Sequence, residues 1–239
     1  MGPCSDESTR APRRPAVTSR RALAAAGVIV AAAAVALFVS LRAPPSSVTS
    51  IERDPAYQAP ALLEKAWALP VAARYRAGYD VQRNASFCGP ASVANVMRSL
   101  GAPGDQSVVL EGTGLSTLFG FVPGLTLDEL ATVTRHRTGR TVSVLRELDL
   151  PTLRSQLAKA NDPSVRFIAN FHRGPLFGRG GGHHSPIAGY LPEQDLVFVL
   201  DVNASYRPWL VSPERLLEAM STVDSATGLR RGLLRIEAP

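Results

Sequence analysis

Apolar positions recur along this chain with two different periods. Val93, Val96, Met97 and Leu100 stand at i, i+3, i+4 and i+7, one stripe of a helix, and Gly101 and Pro103 supply its stop signal. The stretch ahead of that stripe is Phe87-Cys88-Gly89-Pro90, so Cys88 is placed at or near a helix N-terminus. A short helix is expected over Ala61–Trp67, ended by Pro70. Thr126, with Glu129 three residues on, reads as the cap of a helix reaching Arg137 and ended by Gly139. Asp149, with Pro151 near the first turn, opens another helix to about Ala160, and Pro213 opens a last one to about Met220. Strand patterns fall at Thr141–Leu145, Arg166–Phe171, Ser185–Tyr190, Leu196–Val202 and Leu233–Glu237. Residues 101–125 are Gly-rich and irregular, with a turn expected at Val122-Pro123-Gly124. Helices come mainly first and strands mainly later, which is an α+β pattern rather than alternating βαβ units.

The longest apolar run, Ala22–Leu41, is uncharged and long enough to cross a bilayer as a helix of about 20 residues. Arginines precede it, so the positive-inside rule puts the N-terminus in the cytoplasm and the rest outside. Ser19-Arg20-Arg21-Ala22-Leu23 also has a twin-arginine look, and a cleaved signal segment is the alternative. The expected organisation is a basic disordered tail at 1–21, an anchor or signal at 22–41, a Pro/Ser-rich linker at 42–60 and one globular domain at 61–239. Localisation would be the inner membrane, single-pass, with the domain on the extracytoplasmic side.

The chain has 239 residues, 45% of them hydrophobic, enough for one core, and a net charge of +6. Half of that charge lies in the tail, where Arg10, Arg13, Arg14, Arg20 and Arg21 face Asp6 and Glu7. Lysine occurs only at Lys65 and Lys159, so the basicity marks topology, and no nucleic-acid partner is expected. The two cysteines, Cys4 and Cys88, flank the apolar run; if it spans a membrane they cannot pair, and Cys88 is a free thiol.

A thiol at a helix N-terminus is favoured as thiolate by free N–H groups and the macrodipole. The turn near Glu193 folds the segment before Ser185 against Asp201–Asn203, so His183 and Asp201 should be neighbours to within a residue or two. A carboxylate beside an imidazole orients it and stabilises its protonated form; with Cys88, the parts of a Cys-His-Asp acyl-transfer site are present. His184 is adjacent and could equally be the base. A metal site on His183-His184 lacks a third ligand at a helpful spacing. The glycines at 178 and 180–182 precede a strand and lack the P-loop lysine, so they read as a loop into the site. The Gln82 amide is placed to join the Cys88 N–H in an oxyanion hole.

Gln82-x5-Cys88-Gly89-Pro90-Ala91-Ser92, the segment Asn170-Phe171-His172-Arg173 … Gly182-His183-His184-Ser185-Pro186-Ile187-Ala188-Gly189-Tyr190, Val199-Leu200-Asp201-Val202, and the tail Leu217-Glu218-Ala219-Met220, Asp224 and Gly228–Gly232 together resemble the phytochelatin synthase family. The resemblance runs in order over residues 60–239. It implies a papain-like cysteine peptidase fold, with a helical part carrying the cysteine and an antiparallel sheet carrying the histidine and aspartate. Cys88 would attack the Cys–Gly carbonyl of glutathione, with His183 after Gly182 as base, Asp201 as orienter and Gln82 at the oxyanion. Asp224 and Arg231 would hold the zwitterionic γ-glutamyl end. No cofactor is implied; a heavy-metal (Cd/Zn) thiolate complex of the substrate is. Besides a γ-glutamyl peptide, the expected partners are the membrane and, left open, a second copy of the chain.

The departures are Phe87 for the usual Tyr, His184 where the family usually has an aromatic, and Asn203-Ala204-Ser205 where an Arg normally follows Asp201-Val202. The last is associated with the acceptor substrate, so hydrolysis of glutathione to γ-Glu-Cys and glycine is expected first. Alternatives are true dipeptidyl transfer, a papain-like enzyme for another small peptide, and a non-catalytic thiol- or metal-binding relic. The sequence ends at Pro239, without the cysteine-rich extension of plant members.

Overall fold

The computed structural model describes residues 48–115 and 124–239. The expected tail, the apolar run at 22–41, the first residues of the linker, and Val122 and Pro123 lie outside the described residues. Among the described residues no helix is long and apolar enough to cross a membrane.

The architecture is a six-stranded sheet with helices on both faces. In chain order the elements are α1 (Pro60–Trp67), α2 (Pro70–Arg76), α3 (Cys88–Ser99), α4 (Leu127–Thr138), β1 (Thr141–Leu145), α5 (Leu150–Ala158), β2 (Arg166–His172), α6 (Arg173–Phe177), β3 (Gly182–Leu191), β4 (Leu196–Leu200), β5 (Pro208–Val211), α7 (Pro213–Met220) and β6 (Gly232–Glu237). The sheet order is β1-β6-β2-β3-β4-β5, and every neighbouring pair is antiparallel. Alternate strand residues serve two cores. Ile168, Phe198, Leu200, Leu234 and Ile236 pack with α2–α4 residues such as Tyr75, Val93, Val96 and Leu130. Phe167, Phe171, Val197, Val199 and Trp209 pack with Leu153, Leu157, Leu176 and Leu216 from α5–α7. With both faces covered, β4 reads as a continuous apolar run rather than an alternating one.

Local chemistry explains the helix ends. Thr126 and Glu129 form a reciprocal capping box, and Gly139 closes α4 in the left-handed region at φ 63°. The Asp149 carboxylate accepts from the Thr152 N–H, and the Ser212 hydroxyl accepts from the Arg215 N–H. α1 ends at Trp67 as expected, and Pro70 beyond it has a second part. It opens α2, where its missing N–H costs nothing because a first-turn N–H has no intrahelical partner.

Three features differ from the sequence expectations. Residues 48–60, the described part of the expected linker, pack into the domain. Ile51 and Tyr57 are buried, and the Tyr57 carbonyl accepts from the Leu210 N–H on β5. The short elements α6 and β5 are additional; runs of five and four residues are too short to establish a period. The hairpin is also irregular: its register shifts between Ile187 and Gly189, a bulge that adds a residue to β3.

At Gly232 on β6 a Cβ would lie 2.1 Å from the Leu145 carbonyl oxygen. Gly232→Ala should therefore lower stability by about 1–3 kcal/mol, read as a lower urea midpoint. Gly181→Ala, whose Cβ meets nothing within 4 Å, should change it by less than about 0.5 kcal/mol.

Candidate active site

Cys88 is the first residue of α3, so its N–H has no acceptor within the helix, and Phe87 provides no side-chain cap. The segment leading into it is clamped on several sides. Asn95 of α3 accepts from the Asp80 N–H through Oδ1 and donates to the Asp80 carbonyl through Nδ2. Gln106 donates to the Val81 carbonyl and accepts from the Arg83 N–H. The Gln82 N–H donates to the Val202 carbonyl at 2.7 Å, and the Tyr79 hydroxyl donates to the Asp201 carbonyl. The backbone before the thiol is thereby tied to the backbone after Asp201.

His183 and Asp201 meet as the hairpin pattern requires: Nε2 of His183 lies 3.0 Å from Asp201 Oδ1, and both side chains are buried. The Asp201 carboxylate has no exposed surface and is surrounded by donors. Arg173, the first residue of α6, binds it with two parallel bonds of 2.9 and 2.8 Å. The Trp209 indole N–H donates to Oδ2 at 3.0 Å and the Asn203 N–H to Oδ1 at 2.9 Å. The guanidinium of Arg173 lies 3.8 Å above the Tyr206 ring, a cation–π contact out of water.

The electrostatics follow from these contacts. Burial by itself would raise the Asp201 carboxyl; His183, and then Arg173, hold it far below the usual carboxylate range. Burial would lower the His183 imidazolium, but the Asp201 charge and bond outweigh it, with Cys88 adding to them, and the group is raised. Burial would push the Cys88 thiol up; hydrogen bonding to His183 and to His184 overcomes it and holds the thiol well below its ordinary value. A thiolate–imidazolium pair is the state these groups favour.

Gly182, Asp224 and Arg231 also come together. A Cβ on Gly182 would lie 2.5 Å from Arg231 Nη1, so the backbone there runs directly against the guanidinium. Arg231 Nη1 pairs with Asp224 Oδ2 at 3.3 Å, while its Nε is buried without a partner. Gln82 is oriented otherwise than an oxyanion donor would be. Its Nε2 donates to the Asn84 carbonyl at 2.8 Å, and its Oε1 is buried without a partner. A cleft of about 600 Å³ is lined by Gln82, Arg83, Arg98, Asp105 and Gln106 among others, and does not include Cys88. Among the described residues no group of three or more His, Cys, Asp or Glu could hold a metal ion.

Sequence reasoning left Arg173, Trp209 and Asn170 without roles. The signal for Arg173 was a charged residue directly after a buried strand. Trp209 sits on the strand the pattern missed. His184 was weighed as an alternative base, as half of a metal site and as a departure from the family's aromatic, but not as a partner of the thiol; its Nδ1 lies 3.8 Å from Cys88 Sγ.

Arg173→Met should leave a buried carboxylate without its guanidinium partner and destabilise the fold by about 3–5 kcal/mol, measured by urea unfolding. The loss should be greatest at neutral pH. Asp201 has a depressed folded-state pKa, so its contribution is complete above its unfolded value of about 3.9 and fades as pH falls below that.

A family model described as phytochelatin synthase matches residues 121–233. The chain is 31% identical over 182 residues to glutathione gamma-glutamylcysteinyltransferase 2 of Arabidopsis thaliana, covering 67% of this chain and 38% of that protein. It is 31% identical over 173 residues to glutathione gamma-glutamylcysteinyltransferase 1 of Triticum aestivum, covering 66% and 34%. The chain thus spans little more than a third of the length of these curated relatives. Among solved structures it is similar to the peptidase domain of Streptococcus ComA, a bi-functional ABC transporter, with a TM-score of 0.45, 17% identity, and 67% and 97% of the two chains covered. The family model covers His183 and Asp201 but begins after Cys88; with the identity to the curated transferases, the chain belongs to the phytochelatin synthase family.

Proposed function

We propose that this protein is a cysteine acyl-transfer enzyme that cleaves the Cys–Gly bond of glutathione through a γ-Glu-Cys thioester on Cys88, with water as the main acceptor. The observation that carries the reading is the buried His183–Asp201 pair, whose imidazole helps hold the Cys88 thiol at a helix N-terminus well below its ordinary value. The Cys88 proton passes to His183, and the thiolate attacks the carbonyl carbon of the cysteinyl residue. The negative oxygen of the tetrahedral intermediate is met by the Cys88 N–H and, once its side chain turns from Asn84, by the Gln82 amide. The C–N bond breaks as His183 returns its proton to the departing glycine amine. A water then gives a proton to His183, attacks the thioester, and releases γ-Glu-Cys with the thiol restored. Asp224 and Arg231 offer one carboxylate and one guanidinium to the amine and carboxylate of the γ-glutamyl end.

The family also supports dipeptidyl transfer to a second glutathione, which is the activity in the relatives' names. Hydrolysis is favoured because Asn203, Ala204 and Ser205, which follow Asp201-Val202, carry no charge. The Asn203 N–H is bound to Asp201, and the Asn203 side chain accepts from the Ser205 N–H at 3.0 Å. Neither offers a cation to an acceptor's carboxylate. The arginine-flanked run at 22–41 supports an extracytoplasmic, membrane-anchored catalytic domain.

The full-length chain should release glycine from glutathione, and Cys88→Ala should abolish release; equal release by the variant would overturn the assignment. Mass spectrometry for (γ-Glu-Cys)₂-Gly, with and without cadmium or zinc, should find little transfer product beside γ-Glu-Cys. The profile of kcat/KM against pH should be a bell. Its acid limb should lie well below the ordinary thiol value of about 8.5, because Cys88 is depressed. Activity should be lost on the alkaline side as pH rises through the raised value of His183.

A further inference from the structure

Two histidines reach the sulfur, and the reaction as described uses one. His184 is buried and faces Cys88 with Nδ1 at 3.8 Å, a distance that suits an N–H donor to a large sulfur acceptor. Its other nitrogen, Nε2, lies 2.9 Å from Asn170 Nδ2 on β2. That same Asn170 nitrogen lies 3.3 Å from the His183 carbonyl oxygen. A peptide carbonyl can only accept, so the amide must present its NH₂ there rather than its oxygen. The NH₂ is then also what faces Nε2, and a donor cannot be met by an N–H. Nε2 of His184 is therefore the lone-pair nitrogen, and the ring's single proton sits on Nδ1, pointing at Cys88.

The rest of the surroundings agree. The cross-strand register pairs Asn170 directly with His184, and pairs Asn170 with Gly232 on its other side, so its backbone is held between two strands and its side chain shares a face with His184. The opposite amide orientation would satisfy nothing at the His183 carbonyl. Asn170 instead holds its Oδ1 buried and without a partner, a cost of the orientation it keeps. The titratable groups around the sulfur are His183, with Asp201 and Arg173 behind it, and His184; the Arg231–Asp224 pair lies beyond Gly182.

We infer that His184 is a second histidine of the catalytic centre: a neutral imidazole, locked as the Nδ1–H tautomer by Asn170, that donates a hydrogen bond to the Cys88 thiolate. His183 takes the thiol proton; His184 exchanges none and stabilises the charge left on sulfur. This division requires the two rings to differ. Nε2 of His183 is bound by a carboxylate, which favours a second proton on that ring, whereas Nε2 of His184 is bound by an amide donor, which forbids one. The inference rests on Cys88 being the reactive thiol of the proposed reaction, and it concerns the state of that thiol before any substrate arrives.

The test is the pH dependence of Cys88 alkylation by iodoacetamide in the full-length chain, read by peptide mass spectrometry so that Cys4 does not contribute. His184→Phe removes the donor, and should move the ionisation of Cys88 upward by about one unit, so that alkylation on the acid side slows about tenfold. His184→Asn restores an N–H near the Nδ1 position and should keep most of the wild-type profile. A packing role alone would leave the ionisation in place in both variants, and a His184→Phe profile matching wild type overturns the inference. Imidazole nitrogen NMR of the wild-type chain gives a measurement independent of any variant. A neutral His184 with its proton on Nδ1 is expected; a proton on Nε2, or a charged ring at neutral pH, overturns it. The outcomes separate from those of the reaction itself. Wild-type protein that releases no glycine, yet shows the alkylation shift, would sink the glutathione reading and leave the role of His184 standing.

Discussion

The structure depends on a carboxylate that has been taken entirely out of water. Asp201 is fully buried, and an isolated ion in that position would cost several kcal/mol. Arg173 offsets the cost with a bidentate pair, and Trp209 and the Asn203 N–H fill further lone-pair sites. The pairing has a consequence for the imidazole. A lone buried aspartate would pull a proton onto His183 very strongly; Arg173 moderates that pull, and the Asp201 charge and its direct bond still hold the imidazolium raised. The four charges Arg173, Asp201, His183 and Cys88 then sum to zero when the thiolate–imidazolium pair forms, and the site carries no surplus charge that water would have to solvate.

Sheet geometry brings both histidines to one sulfur. Consecutive residues of a strand point to opposite faces, and His183 and His184 obey this. His183 packs against Phe171 on one face, 5.5 Å between ring centroids, and His184 meets Asn170 on the other. The β3–β4 ladder runs from Ile187–Val199 to Leu191–Leu196, so the two histidines are laddered to β2 only. On their other side the chain at Asp201–Val202 turns to meet Tyr79 and Gln82, which lead into Cys88. A strand with one open side can present residues of both faces to an atom placed beside it, and a fully paired strand could not.

Much of this was legible in the residues. The position of Cys88 at a helix start followed from an apolar stripe and a Gly-Pro pair. The proximity of His183 to Asp201 followed from equal distances to one turn, and it survived the bulge near Gly189 because the argument tolerated a shift of a residue or two. The rest was not legible for definite reasons. Arg173 and Trp209 act through the third dimension, across elements of five and four residues that carry no period. Pro70 is the same residue whether it ends one helix or opens the next, and only packing decides. The tautomer of His184 depends on which way an amide faces, and that is settled by a carbonyl thirteen residues away in the chain.

The same logic bears on how the acyl-enzyme partitions between water and a second thiol peptide. Transfer requires the acceptor to be held while the thioester survives, and a glutathione acceptor brings two carboxylates that must find cations. The segment after Asp201 is where such a cation would be mounted, since it adjoins the histidine that deprotonates the acceptor. In this chain it is committed to Asp201 and to its own turn, with the Tyr206 N–H closing on the Asn203 carbonyl. Arg173 is bound by Asp201, and Arg231, paired with Asp224, is assigned in the proposed reaction to the γ-glutamyl end of the acyl donor rather than to the acceptor. Arg83 and Arg98, which line the neighbouring cleft, stand with Asp80 and Asp105 on the same walls. An acceptor with two carboxylates meets mixed charge there rather than a positive field, while water needs only the base; this charge balance is what supports the hydrolysis proposed above.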